Sequence, residues 1–127
     1  MTATRLNPSR DTTSYKGSIT RSGSDIDSMT LGASLKLTPG TYVLFGYWAF
    51  NTGSSGTRNI QIALGESSSN FYTRDRVFTA TSNWASRTIS WPVTLTEETT
   101  VYVMGSSSKA TSSGNLDSSR LTAVRLA

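Results

Sequence analysis

Residues 41–50 read TYVLFGYWAF, and the reading of this stretch decides the fold. Tyr42, Leu44, Trp48 and Phe50 alternate onto one face, while Val43, Phe45, Tyr47 and Ala49 occupy the other. A two-residue period is that of a strand. The aromatic and β-branched content argues against a helix, as do the turn signals on either side, Pro39-Gly40 before the run and Asn51-Thr52-Gly53 after it. A strand that is apolar on both faces has to be covered on both sides. In a small all-β protein one face meets the opposite sheet. The other needs a neighbour, and a second subunit can supply it.

The segments around this strand repeat the pattern. Upstream, residues 26–37 hold two short apolar runs, Ile26/Met29/Leu31 and Leu35/Leu37, interrupted by Gly32. Downstream, Ile60, Ile62 and Leu64 face one way against Asn59, Gln61 and Ala63, which predicts a strand buried on one side. Residues 71–80 read as a strand pair or one bent strand centred on Val77 and Phe78. In residues 87–95, Ile89, Trp91, Val93 and Leu95 point inward, and Pro92 falls in the outward set. Proline cannot donate to a ladder, so this strand belongs at an edge or carries a bulge. Residues 100–104 are again apolar on both faces, through Val101/Val103 and Tyr102/Met104, and residues 120–126 alternate to the end. The whole predicts an all-β chain of about eight to ten short antiparallel strands in a two-sheet β-sandwich. No helix of ordinary length is indicated.

Composition agrees. Ser and Thr supply roughly a third of the chain; Thr suits strands and Ser suits turns. There is no Cys and no His, which removes disulfides, thiolate sites, the commonest metal ligand and the commonest general base. The net charge of +4 is spread along the chain without a Lys/Arg run or an aromatic-basic stripe, so no nucleic-acid groove is predicted. No stretch has the length of a membrane span, and residues 1–10 carry no apolar signal-peptide core.

Residues 1–25 have few large apolar groups and cannot build a core alone. They are an arm, a linker or an edge segment, and the domain organisation expected is a polar N-terminal arm over 1–25 followed by a sandwich domain over 26–127. The arm's Arg5, Arg10, Lys16 and Arg21 are candidates for anchoring it to an acidic surface.

The order of segments resembles the jelly rolls of the tumour-necrosis-factor-like and complement-type globular-head superfamily, including heads on tailed-phage virions. Residues 39–50 (PGTYVLFGYWAF) are similar to that family's aromatic strand, with residues 58–64 (RNIQIAL) as its hairpin partner. Residues 87–105 resemble its paired strands around a tight turn, here Thr-Glu-Glu where Pro-Gly-Asp is frequent. Residues 118–126 (SSRLTAVRL) resemble the closing strand. The resemblance implies a jelly roll that trimerises through aromatic strand faces, with Val43, Phe45, Tyr47, Tyr102 and Met104 as candidate subunit contacts. On a phage it implies a virion-surface location and one of two non-enzymatic roles. The first is a decoration or cement protein held on the major capsid protein, or another virion protein, through its arm. The second is a fibre tip binding host surface glycan. The chain starts at Met1 with a short arm and no heptad or shaft repeat, which favours decoration.

Candidate sites follow the same logic. Glu97-Glu98 is the only adjacent carboxylate pair, and neighbours on a turn or strand point apart, so it reads as a solvated turn rather than an acid/base couple. Asp25 and Asp27, with Glu66 or Asp117 brought in by folding, have no glycine-centred Ca²⁺ loop. No catalytic residue, metal or cofactor is predicted. Phe71, Tyr72 and Trp84 lie near loops and are the candidates for exposed recognition residues.

Overall fold

A computed structural model of the chain describes residues 11–51, 56–111 and 114–127. The described residues form eight strands: β1 (Thr12–Ile19), β2 (Thr30–Leu37), β3 (Gly40–Asn51), β4 (Arg58–Ser67), β5 (Asn70–Ala80), β6 (Trp84–Leu95), β7 (Thr99–Ser107) and β8 (Asp117–Arg125). They pair antiparallel into two four-stranded sheets, which we term sheet A, in the order β1-β8-β3-β6, and sheet B, in the order β2-β7-β4-β5. Two four-stranded sheets linked by crossovers of this kind make a jelly roll.

The core lies where the alternation places it. Tyr42, Leu44, Trp48 and Phe50 of β3 face inward from sheet A and meet Ile60, Ile62, Leu64, Val101 and Val103 from sheet B. Trp48 spans the gap between the sheets. Its ring fills the space over Gly32 and Gly105, where an added Cβ would lie 2.5 Å from ring atoms in either case. Gly32, which interrupts two apolar runs in the sequence, and Gly105, which ends another, are therefore the floor of the tryptophan site, a use of glycine for close approach.

The polar stretch before residue 26 is more than an arm. From Thr12 it forms β1, paired with β8 from Thr12↔Ala123 onward. An edge strand is held by backbone hydrogen bonds and needs few apolar side chains, which is why TTSYKGSI carries so little hydrophobic signal. The Thr13 and Thr122 hydroxyls hydrogen-bond across the pair at 3.0 Å, and Ile19 closes the strand in the core. The boundary expected at residue 25 is corrected accordingly, and the edge-segment alternative holds for β1.

At the opposite edge of sheet A, β6 pairs with β3 over twelve consecutive residues without a bulge. Pro92 sits on this edge strand, opposite Val43, as its missing donor requires. Residues 71–80 lie within the single strand β5, bent by irregularities in its register with β4.

Candidate functional site

The second face of β3 is the feature to explain. With the even residues committed to the core, Val43, Phe45 and Tyr47 point outward from sheet A. Register extends this face across the sheet: Phe45 lies between Thr122 of β8 and Ser90 of β6, and Tyr47 between Arg120 and Thr88. Tyr15 of β1 continues the row beyond Arg120. Phe45 is 47% exposed, Trp84 56% and Tyr15 70%. The Arg120 guanidinium lies 5.1 Å over the Tyr47 ring, a cation–π contact that holds it above the face. Phe45, Tyr47, Thr88, Ser90, Arg120 and Thr122 line an open depression of about 550 Å³, and Trp84 with Ala49 and Ser86 lines a smaller one beside it.

The five candidate contact residues do not form one surface. Val43, Phe45 and Tyr47 share the outer face of sheet A, whereas Tyr102 and Met104 point out from sheet B, because β3 and β7 belong to different sheets. Met104 is fully buried by the chain itself. Met29, at the end of the β1–β2 connection, covers it together with Ala63, and Leu31, Phe71 and Tyr102 pack around them as a second small core. Gln61 holds this cover in place, its Nε2 donating to the Ile26 carbonyl at 3.1 Å and contacting the Met29 sulfur at 3.0 Å. Met104 is thus removed from the candidate interface.

The three recognition candidates are also separated. Trp84 opens β6 and lies exposed on the outer face of sheet A. Phe71 packs on the second core of sheet B with the Arg74 guanidinium 5.0 Å over its ring. Tyr72 turns to the main core, and its hydroxyl donates to Glu66 Oε2 at 2.7 Å. Partial burial first, and then the hydrogen bond and charge of Glu66, push its pKa well above the usual phenol value.

Of the four anchoring cations, Arg5 and Arg10 lie outside the described residues. Lys16 is exposed on β1. Arg21 is not available for docking, because it is buried against Asp117. Asp117 is the residue whose role the sequence does not disclose. Its Oδ2 accepts from Arg21 Nε and from Trp48 Nε1 at 2.8 Å, and its Oδ1 accepts from the Asn51 backbone N–H at 2.9 Å. The one available signal is a lone acid ending a polar loop, and a linear reading cannot pair it with one Trp and one Arg among the several that the chain carries. Asp25 is spent locally, accepting from the Asp27 N–H at 3.0 Å. Among the described residues no three His, Cys, Asp or Glu side chains gather as a metal site. Glu97 and Glu98 stand exposed in the β6–β7 turn, where Glu98 meets Lys36 at the surface.

No protein-family model matches the sequence, and no curated protein matches it. Solved structures do. A chain of the T13 viral particle of infectious bursal disease virus matches with a TM-score of 0.54 and 13% identity, over 98% of this chain and 36% of that one. A chain from the structure of the Gx strain of the same virus matches with a TM-score of 0.52 and 11% identity, over 98% of this chain and 38% of that one. Murine APRIL matches at 0.42 and 12% identity, over 92% of this chain and 100% of that one, a score that carries no argument. The chain spans little more than a third of the viral chains that it matches, and at such identities the likeness shows the fold alone. That fold is the jelly roll.

Proposed function

We propose that this chain is a non-enzymatic virion structural protein that assembles as a homotrimer through the outer face of sheet A and decorates the capsid surface of a tailed phage. The observation that carries the reading is the uncovered Phe45–Tyr47 face in the middle of a sheet. The outer face of an antiparallel sheet is normally polar and solvated, so large exposed aromatics at its centre, rimmed by hydroxyl side chains, mark an interaction surface. Covering Phe45, which is half exposed, contributes about 1 kcal/mol per subunit, and Tyr47, Val43 and Pro92 add to it. In a closed three-fold ring one part of this face on each copy meets a different part on its neighbour, a heterologous contact that leaves no copy with the face uncovered. The likeness of the fold to chains of an icosahedral viral particle supports the virion part of the reading.

Attachment to the major capsid protein falls, in this reading, to residues before β1, where Arg5 and Arg10 are cationic and no acid precedes Asp11. Truncation has to stop at residue 10, because removing 1–25 would strip β1 and Arg21 from the fold. The experiment is antibody labelling of intact particles assembled from the genome that encodes the chain. Label over the head supports decoration. Label confined to fibre tips would move the function to host-glycan binding, and absence of label would end the virion reading.

A further inference from the structure

We infer that the Trp84 end of the sheet A face binds an acidic polysaccharide, one built of carboxylate-bearing sugars, with a sugar ring stacked on the Trp84 indole and a carboxylate on Arg120. The site is made by a single copy and goes beyond the reading above without resting on it. It lies toward the end of β3 away from Val43 and Pro92, and shares Tyr47 with the subunit contact proposed there. Register gives its shape. Trp84 sits opposite Asn51, four residues beyond Tyr47 on β3, so the backbones that carry the two rings stand about 13 Å apart along the strands. Between them a row of small residues, Ser118–Ala49–Ser86, crosses β8, β3 and β6. The result is a trough of about 290 Å³, with Ala49 and Ser86 in its floor, the 56%-exposed Trp84 on one side and Tyr47 on the other. The Tyr47 ring also borders the depression of about 550 Å³, where the Arg120 guanidinium stands 5.1 Å from it.

The lining selects the class of ligand. Apolar surface here is mostly ring faces in an open trough, with the hydroxyls of Ser86, Thr88 and Ser90 beside them. An apolar side chain asks for an enclosed pocket, whereas a pyranose divides as the trough does: its C–H face packs on an aromatic ring and its hydroxyls hydrogen-bond at the rim. Charge narrows the class further. The outward positions of the four strands carry no carboxylate, and the single acid within these strands, Asp117, is buried on the inner side and bound to Arg21. Arg120 is the one cation at those outward positions, since Arg87 and Arg125 turn to the rings of Phe78 and Tyr42. A guanidinium donates in pairs to a carboxylate. A single-stranded nucleic acid would instead ask for a cationic groove along its backbone, which one guanidinium does not make.

The test is isothermal titration calorimetry of the full chain with hexasaccharides of galacturonate and of mannuronate, with their methyl esters as neutral controls, and with a thymidine oligonucleotide. At least one acidic hexasaccharide should bind, roughly tenfold more tightly than its ester. Trp84→Ala should weaken that binding by roughly tenfold. Ser86→Leu, which fills the trough and keeps the indole, should do the same, and both positions are exposed, so the circular dichroism of the fold should not change. Arg120→Gln should abolish the preference for acid over ester. Binding by neither acidic hexasaccharide, equal binding of acid and ester by the parent, or full binding by Trp84→Ala overturns the site, and tighter binding of the oligonucleotide reassigns the face to nucleic acid. Sedimentation reads the trimer separately: a monomer that binds sustains the site and ends the trimer, and a trimer that binds nothing does the reverse.

Discussion

Arg21 and Asp117 stand 96 residues apart in the sequence and form a buried ion pair, with side chains 3% and 0% exposed. The pair ties the end of β1 to the start of β8. Because the same carboxylate also takes Trp48 Nε1 and the Asn51 N–H, it fixes the central tryptophan and the end of β3 as well. A buried carboxylate is costly unless its lone pairs are satisfied, and here three donors from two segments supply that satisfaction.

Asp117→Asn is expected to be severe. It removes the charge that Arg21 needs and places amide hydrogens against donors, so the loss of stability should be about 3–5 kcal/mol by urea unfolding followed through tryptophan fluorescence. Arg21→Met should cost less, since Asp117 keeps Trp48 and Asn51 as partners. Equal effects from both, or a loss below about 1 kcal/mol for Asp117→Asn, would show that the network does not carry this role.

Gly105→Ala tests the tryptophan site. The new methyl group would fall 2.5 Å from Trp48 Cε2, so either the ring or β7 has to shift. Overpacking of this kind costs about 1–3 kcal/mol, and the change should appear as a lower thermal midpoint with altered tryptophan emission. An unchanged midpoint would mean that the ring does not occupy the space over this glycine.

Tyr72 predicts a pH dependence. Its pKa in the folded chain lies above the unfolded value of about 10, so the folded form keeps a proton that the unfolded chain gives up. That contribution is fully present below about pH 10 and is lost as pH rises from there toward the folded pKa. Tyr72→Phe should therefore flatten the alkaline fall in stability, measured as urea midpoints at about pH 8 and about pH 10.5. Parent and variant falling in parallel would contradict the assignment.

The sandwich was legible where side chains carry the information. The alternation in residues 41–50 placed the core face correctly, and Pro92 marked an edge strand. In β4 Ile60, Ile62 and Leu64 do face the core, but the one-sided burial expected there is corrected, since Gln61 and Ala63 on the other face are also buried, under the β1–β2 connection. Two kinds of feature were not legible. β1 is held through backbone groups, so its polar side chains say little about pairing. The burial of Met104 comes from the β1–β2 connection folding over sheet B, and no local pattern in residues 100–104 contains Met29. Asp117 is a third case, since its partners come from two distant segments, Arg21 after β1 and Trp48 with Asn51 in β3. Local periodicity reports which residues face away from water, but not which distant segment faces them.

The central claim is that the outer face of sheet A joins three copies, and sedimentation equilibrium of the full chain at micromolar concentration tests it most directly. The account predicts a mass three times that of the 13.7-kDa chain, and conversion to a folded monomer by Phe45→Glu, which buries a charge in the interface while leaving the inner core untouched. A single-chain mass for the parent, or a trimer unaffected by Phe45→Glu, would contradict it.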